Sequence, residues 1–217
     1  MARLLVTGGS GVLGRAFEPL ALEAGHELHA PRRTELDLFD PAAVTAATQD
    51  VDAVIHLATR IQALDQLDNP EAWGENDRLR AEASSILVDA ALASRVAVYV
   101  QPTVTFVYPA DGPASEETRI GEVAPILRSA LAAKREAGRF ASAGRRGIVL
   151  RLGLLDGPGT GHDQPVTSLG ASVHVDDAAR AALAALTLES GVYNVCRDGE
   201  RVSNRRLTRA AGWRPRH

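Results

Sequence analysis

The run Leu4-Leu5-Val6-Thr7-Gly8-Gly9-Ser10-Gly11-Val12-Leu13-Gly14 constrains the fold of this chain more than any other stretch. Three apolar residues lead into closely spaced glycines and then into a helical pattern, so the segment reads as strand, tight turn and helix. Two glycine patterns overlap in it, Gly9-x-Gly11-x-x-Gly14 and Gly8-x-x-Gly11-x-x-Gly14. Lacking a Cβ, the early glycines accept positive φ and let backbone approach a pyrophosphate, while the last lets the helix pack closely on the strand. The amides at the helix start then face the anion. Placed between a strand and a helix, the pattern predicts a dinucleotide cradle made of Gly8, Gly9, Ser10, Gly11, Val12, Leu13 and Gly14.

The rest of the chain repeats the strand and helix alternation. Leu4 to Val6, Glu27 to Ala30, Val51 to Ala58, Val96 to Val100 and Ile148 to Leu152 read as five strands. Between them lie helical stretches from about Val12 to Ala24, Pro41 to Thr48, Glu75 to Ala93, and Gly121 or Pro125 to Ala141. Pro19 is expected to kink the first helix, and Pro102 to confine any ladder around it to an edge or a strand end. Nearly continuous apolar strands separated by helices specify an α/β fold with a doubly wound parallel sheet covered on both faces. Beyond Leu152 the pattern loosens into a Gly/Pro loop from Gly157 to Gly161, a short strand at Ser172 to Val175, a helix from Asp176 to Leu186 and a strand at Val192 to Val195. Residues 1–152 are therefore read as a dinucleotide-binding core of Rossmann type, and residues 153–217 as a minimal substrate-side appendage partly integrated with it.

Composition removes several function classes. With 217 residues and a net charge of −3, the chain has room for one sizeable core and shows no basic excess of the kind that marks a nucleic-acid partner. The single cysteine, Cys196, allows no internal disulfide and no multi-cysteine metal site. No run of apolar residues approaches membrane-spanning length and no leader pattern is evident, so a cytoplasmic protein without membrane contact is expected. No grouping of His, Cys or carboxylate residues has metal-ligand spacing, and no metal site is expected.

Several ordered motifs together resemble the extended short-chain dehydrogenase/reductases, the NAD(P)-dependent epimerase/dehydratase family. Thr7-Gly8-x-x-Gly11-x-x-Gly14 resembles its glycine motif, and Asp37-Leu38 its acid and apolar pair beside the adenine. His56-Leu57-Ala58 resembles the strand end that walls the cofactor, which draws in Leu57, Ala58 and Thr59. Arg151-Leu152-Gly153 with Asp156-Gly157-Pro158-Gly159, then Val173-His174-Val175-Asp176-Asp177 and Gly191-Val192-Tyr193-Asn194-Val195, resemble its later signatures. The resemblance spans essentially the whole chain. It implies an oxidoreductase or epimerase/dehydratase-type protein acting on a carbonyl or hydroxyl group of a small substrate. By analogy it also implies a homodimer packed through two long helices.

The end of the second strand bears on which cofactor is held. An acid there would bind a ribose 2′-hydroxyl, whereas arginine accommodates a 2′-phosphate. The chain offers Pro31-Arg32-Arg33, so NADP is favoured with NAD possible. The catalytic positions depart from the family. Its Tyr-x-x-x-Lys pair places Ala130 where the tyrosine belongs, four residues before Lys134, the only lysine in the sequence. Its serine or threonine position falls on Val104. Lys134 can retain the ribose contact without the tyrosine, and displaced hydroxyls are available at Thr103, Thr105 and Tyr108.

Other polar residues carry weaker signals. His56 reads as a satisfied core or wall residue rather than a base, and His162 with Asp163 as an exposed loop pair. Arg60 and Arg80 could face the pocket and bind an anionic substrate, Arg80 standing at the family's asparagine position. Little chain separates Gly159 from Val173, leaving scant room for the subdomain that grips nucleotide sugars, and a smaller or partner-delivered substrate is favoured. Two readings stay open: an atypical NADP-dependent enzyme with a rearranged active site, or a cofactor-binding protein without hydride chemistry.

Overall fold

The structure is a computed structural model that describes residues 1–166 and 170–217. Its centre is a six-stranded sheet, every ladder of which is parallel. Strands β1 (Arg3–Thr7), β2 (Glu27–His29), β3 (Ala53–His56), β4 (Val98–Val104) and β5 (Arg146–Leu152) are joined by β8 (Gly191–Val195), in the order β2-β1-β3-β4-β5-β8. Two short strands, β6 (Leu154–Asp156) and β7 (Ser172–His174), pair beside it as a separate ribbon.

Strand alternation divides the core in two. Leu4 and Val6 of β1 point into one layer with Leu13, Phe17 and Ala21 of helix α1 (Val12–Glu23) and the alanines of α6 (Val175–Ala184). Leu5 points the other way, with Val44 of α2 (Pro41–Thr48), Leu87 and Val88 of α4 (Ser84–Leu92), and Ala137 and Phe140 of α5 (Arg128–Ser142). Local chemistry sets the helix starts. Asp40 accepts from the amides of Ala42 and Ala43 ahead of α2, whose first residue is Pro41. Pro19 sits inside α1 on its exposed side without ending the helix.

Three elements differ from the sequence reading. The stretch from Glu75 to Ala93 is not one regular helix: α3 (Gly74–Arg78) passes through a π turn (Leu79–Ala83) before α4 begins. Pro102 lies in the interior of β4, a central strand, yet β3 pairs with β4 only as far as Val100, so the proline follows the end of that ladder. The last strand, β8, is a full member of the main sheet beside β5, and a helix that the residue pattern did not announce, α7 (Arg205–Ala211), follows it. The residues between Gly159 and Val173 include 167–169, which lie outside the described residues.

Chain order reverses beside β1, which sends the chain first outward to β2 and then back across to β3. In open parallel sheets the crevice at the carboxyl ends of strands flanking such a reversal is where ligands bind. Here that crevice is bordered by the glycine loop after β1 and by Leu57, Ala58 and Thr59 after β3.

Candidate active site

The cradle is built by close backbone approach. Gly8 has φ +77°, and a Cβ placed on it would lie 2.5 Å from the amide nitrogen of Ala58. A Cβ on Gly14 would sit about as close to the carbonyl oxygens of both Gly8 and Gly9, at 2.4 Å. The glycine turn is therefore pressed against the end of β3 on one side and the first turn of α1 on the other. Gly11 caps α1 with no side-chain hydrogen bond, which leaves the first amides of a twelve-residue helix for an anion. Residues 157–161 cover this end: Gly159 packs against Arg15 and Val12, and Arg15 donates to the Ser10 carbonyl at 2.5 Å. These features fit a dinucleotide pyrophosphate.

Behind the cradle, Thr7 and His56 tie β1 to β3 and to the π turn. The Leu79 carbonyl, at the head of that turn, accepts from His56 Nε2 at 3.0 Å, which makes Nδ1 the acceptor for the Thr7 hydroxyl at 2.6 Å. Burial lowers the His56 pKa to about 4, so the ring is neutral and its two nitrogens are both in use. His56 is a brace.

At the outer side of the cradle, Arg32 and Arg33 follow β2. The Arg33 guanidinium meets Glu75 of α3 at 2.5 Å, and Arg60 approaches the same carboxylate at 3.9 Å. Asp37 is exposed and accepts from the amide of Phe39, and Leu38 is half-buried on the core with α2 and α4.

The positions expected to carry chemistry lie at the carboxyl ends of β4 and β5. Ala130, buried at the start of α5, and half-buried Val104 offer no polar atom there. Lys134, one turn beyond Ala130, is exposed, and its pKa is lowered by partial burial and then by the charge of Arg151. Tyr108 takes a different part. Its hydroxyl accepts from Arg151 Nη1 at 2.5 Å and donates to Asn194 Oδ1 at 2.8 Å, and burial raises its pKa. Tyr108 thus joins β5, β8 and the segment after β4, with both hydroxyl functions occupied. The Thr103 and Thr105 hydroxyls are buried and have no partner among the described residues.

The fold also assembles a group that residue spacing concealed. His174, Asp176 and His217 bring one ligand atom each to within 4.8 Å of one another. The two rings stack at 4.2 Å with planes 23° apart, an arrangement in which one ion cannot lie in both ring planes. The loop pair His162 and Asp163 stays exposed or half-buried, with the His162 carbonyl accepting from Gly157. A hollow of about 540 Å³ lined by Ala2, His26, Ala97 and Arg146 opens at the amino ends of the strands, the opposite edge from the cradle, and has no part in this site.

Comparison with known proteins agrees with this architecture. Residues 4–172 match the model of the NAD dependent epimerase/dehydratase family. The chain is 31% identical over 227 aligned positions to a 3-diazoavenalumate denitrifying reductase of a Streptomyces species, covering 87% of this chain and 73% of that protein. It is 29% identical to a 2-alkyl-3-oxoalkanoate reductase of Stenotrophomonas maltophilia, covering 72% of this chain and about half, 52%, of the relative. In fold it is similar to RMD from Pseudomonas aeruginosa complexed with NADPH, with a TM-score of 0.79 at 21% identity over 99% of this chain and 94% of that one. No helix among the described residues is long and apolar enough to cross a membrane. The family match and the glycine cradle lead to one assignment: the chain belongs to the NAD dependent epimerase/dehydratase family, with an α/β fold of Rossmann type that holds a nicotinamide dinucleotide.

Proposed function

We propose that the protein is a nicotinamide-dependent reductase of a small carboxylate-bearing substrate, and that its hydride acceptor takes no proton from the protein. The observation that carries this reading is Ala130, which puts a methyl group where a tyrosine would donate a proton one turn before Lys134. Tyr108 is a poor replacement, because its hydroxyl is held between Arg151 and Asn194. Both curated relatives bear the names of reductases acting on carboxylates. Ketone reduction builds negative charge on oxygen and gains about 10²–10⁴-fold from a positioned acid. Replacing a diazonium group by hydrogen differs: one hydride enters, the C–N bond breaks, dinitrogen leaves with the bonding pair, and no proton is consumed. A site without the tyrosine suits that second chemistry.

When bound, the reduced cofactor supplies the hydride. The chain's own residues bind and orient. The glycine turn and the first amides of α1 hold the pyrophosphate, and Lys134 reaches the ribose. Arg32 and Arg33 accept a 2′-phosphate, which favours NADPH, with Glu75 sharing Arg33. Leu57, Ala58 and Thr59 wall the nicotinamide side of the crevice, and the neutral His56 keeps β1, β3 and the π turn in register without exchanging protons.

The test is fluorescence titration with NADPH and NADH, followed by turnover of an arenediazonium carboxylate and of the matching aryl ketone. Cofactor deuterated at its transferable hydrogen should slow diazonium reduction, while exchange of water for heavy water leaves it unchanged. The ketone should react about a hundredfold more slowly or not at all. Binding of neither dinucleotide, or ketone turnover at a matching rate with a solvent isotope effect, overturns the reading.

A further inference from the structure

Unpaired buried polar groups in this molecule are concentrated in one place. Of the eight buried side-chain atoms without a partner among the described residues, six belong to Asn76, Asp77, Arg80, Thr103, Thr105 and Ser129. They come from α3, the π turn, the carboxyl end of β4 and the start of α5, and α5 packs against both helical segments and the strand. Folded proteins rarely leave such groups unbonded, so a cluster of them points to something the chain alone does not supply.

Arg80 is the unusual member. It is only 4% exposed, its side chain forms no ion pair among the described residues, and its Nε is buried without a hydrogen-bond partner. Asp77, one turn earlier, lends it a favourable field without reaching ion-pair distance. Desolvation lowers its pKa to about 10, which leaves the guanidinium charged at neutral pH. A buried charge without a paired counter-charge is destabilising, and among the described residues only the Asp77 carboxylate offsets it, from beyond ion-pair distance. Lys134 and Arg151, near the end of β5, add to a positive charge that Asp77 offsets only in part. The local field therefore favours an incoming anion.

We propose that Arg80 seats the carboxylate of the substrate, with the Asn76 amide and the hydroxyls of Thr103, Thr105 and Ser129 serving the same polar end. This deepens the reductase reading above and rests on it for the substrate's place beside the nicotinamide. A planar guanidinium presents two parallel N–H groups that match a carboxylate bidentately, which a lysine cannot reproduce. The cofactor's own anions have other seats, at the glycine turn and at Arg32 and Arg33, so the charge met by Arg80 belongs to the second ligand. The π turn accounts for the residue's placement, since a widened turn shifts the helix face that follows it.

The experiment compares wild type, Arg80→Met and Arg80→Lys by thermal shift and calorimetry, each with and without NADPH. The probes are acetate, benzoate and trans-cinnamate, each paired with its neutral amide. Wild type with NADPH should be stabilised by at least one of the carboxylates and not by its amide. Arg80→Met should bind NADPH within about twofold of wild type and lose carboxylate affinity about tenfold or more, the usual weight of a charge-assisted contact. Its ligand-free melting temperature should equal or exceed that of wild type, because an uncompensated charge has been removed. Arg80→Lys keeps the charge and should fall between the two, and it decides the matter where Arg80→Met fails to fold. No discrimination of any carboxylate from its amide by wild type, or undiminished discrimination by both variants, overturns the proposal. Carboxylate binding that depends on Arg80 in a protein unable to bind either dinucleotide supports the seat and overturns the reductase reading instead.

Discussion

The two sides of the crevice treat their polar groups differently. On the cofactor side, around β1 and β3, Thr7, His56 and the Leu79 carbonyl satisfy one another, and the glycine turn is packed against backbone on two faces. On the other side, around the end of β4 and the start of α5, Arg80 Nε, Asn76 Nδ2, an Asp77 carboxylate oxygen and three hydroxyls are buried without partners among the described residues. The difference separates structure from recognition. A satisfied network stiffens the fold whether or not a ligand arrives, whereas an unsatisfied one costs stability until a ligand completes it. Substitutions on the first side should therefore weaken fold and cofactor binding together, and those on the second should weaken substrate binding without weakening either.

The strongest way to break that comparison is Gly8→Ala. The new methyl group would meet the Ala58 backbone at 2.5 Å in a residue with φ +77°. A loss of roughly 2–4 kcal/mol in stability together with loss of NADPH binding is expected, combining backbone strain with overpacking. Denaturant unfolding and cofactor titration check both parts, and a variant that keeps wild-type affinity would show that the turn is looser than its packing implies.

Acid should act on the same side with comparable size. His56 titrates near 6.5 when unfolded and about 4 when folded, so the unfolded chain binds the extra proton between those values. The stability contributed by neutral His56 is complete above pH 6.5 and is lost as pH falls toward 4, by about 3 kcal/mol for this one group. Unfolding measured from pH 7.5 down to 4.5 should be less acid-sensitive in His56→Phe than in wild type, as the difference of about a few kcal/mol in slope-integrated stability disappears.

Tyr108→Phe gives the smallest effect and sharpens the contrast. Removing a hydroxyl that bridges Arg151 and Asn194 should cost about 1–3 kcal/mol of stability. Single-turnover hydride transfer should change by less than about threefold, far short of the 10²–10⁴-fold expected of a lost general acid. A drop of that larger size would make Tyr108 the displaced acid and return the protein to carbonyl chemistry.

The glycine turn was legible in the residue order because its determinants are local. Gly8, Gly11 and Gly14 lie within seven residues, and their spacing alone states where backbone must come close. The five strands of the core and α2, which begins at Pro41, could be marked from apolar runs and helical stretches for the same reason. The π turn was not legible: Leu79 to Ala83 carry ordinary helical residues, and the widening shows only once His56, far back in the chain, meets the Leu79 carbonyl. Nor was the fate of Tyr108, whose partner Asn194 stands 86 residues away on a strand that the loosened pattern did not place in the main sheet.

Sequence by itself determined that this chain forms a parallel α/β sheet with a glycine turn after its first strand, and that a methyl group stands four residues before Lys134. Those are matters of spacing along one chain segment, set by Cβ sterics and helical periodicity. Tertiary structure decided which hydroxyls are free and which charge lacks a partner. Tyr108, Thr103 and Thr105 look alike as candidates in a strand, yet burial beside Arg151 and Asn194 ties up the first and leaves the other two unbonded. Arg80 reads in the sequence as a candidate for an anionic substrate beside Arg60, but its burial without a paired counter-charge exists only where α5 packs against the π turn.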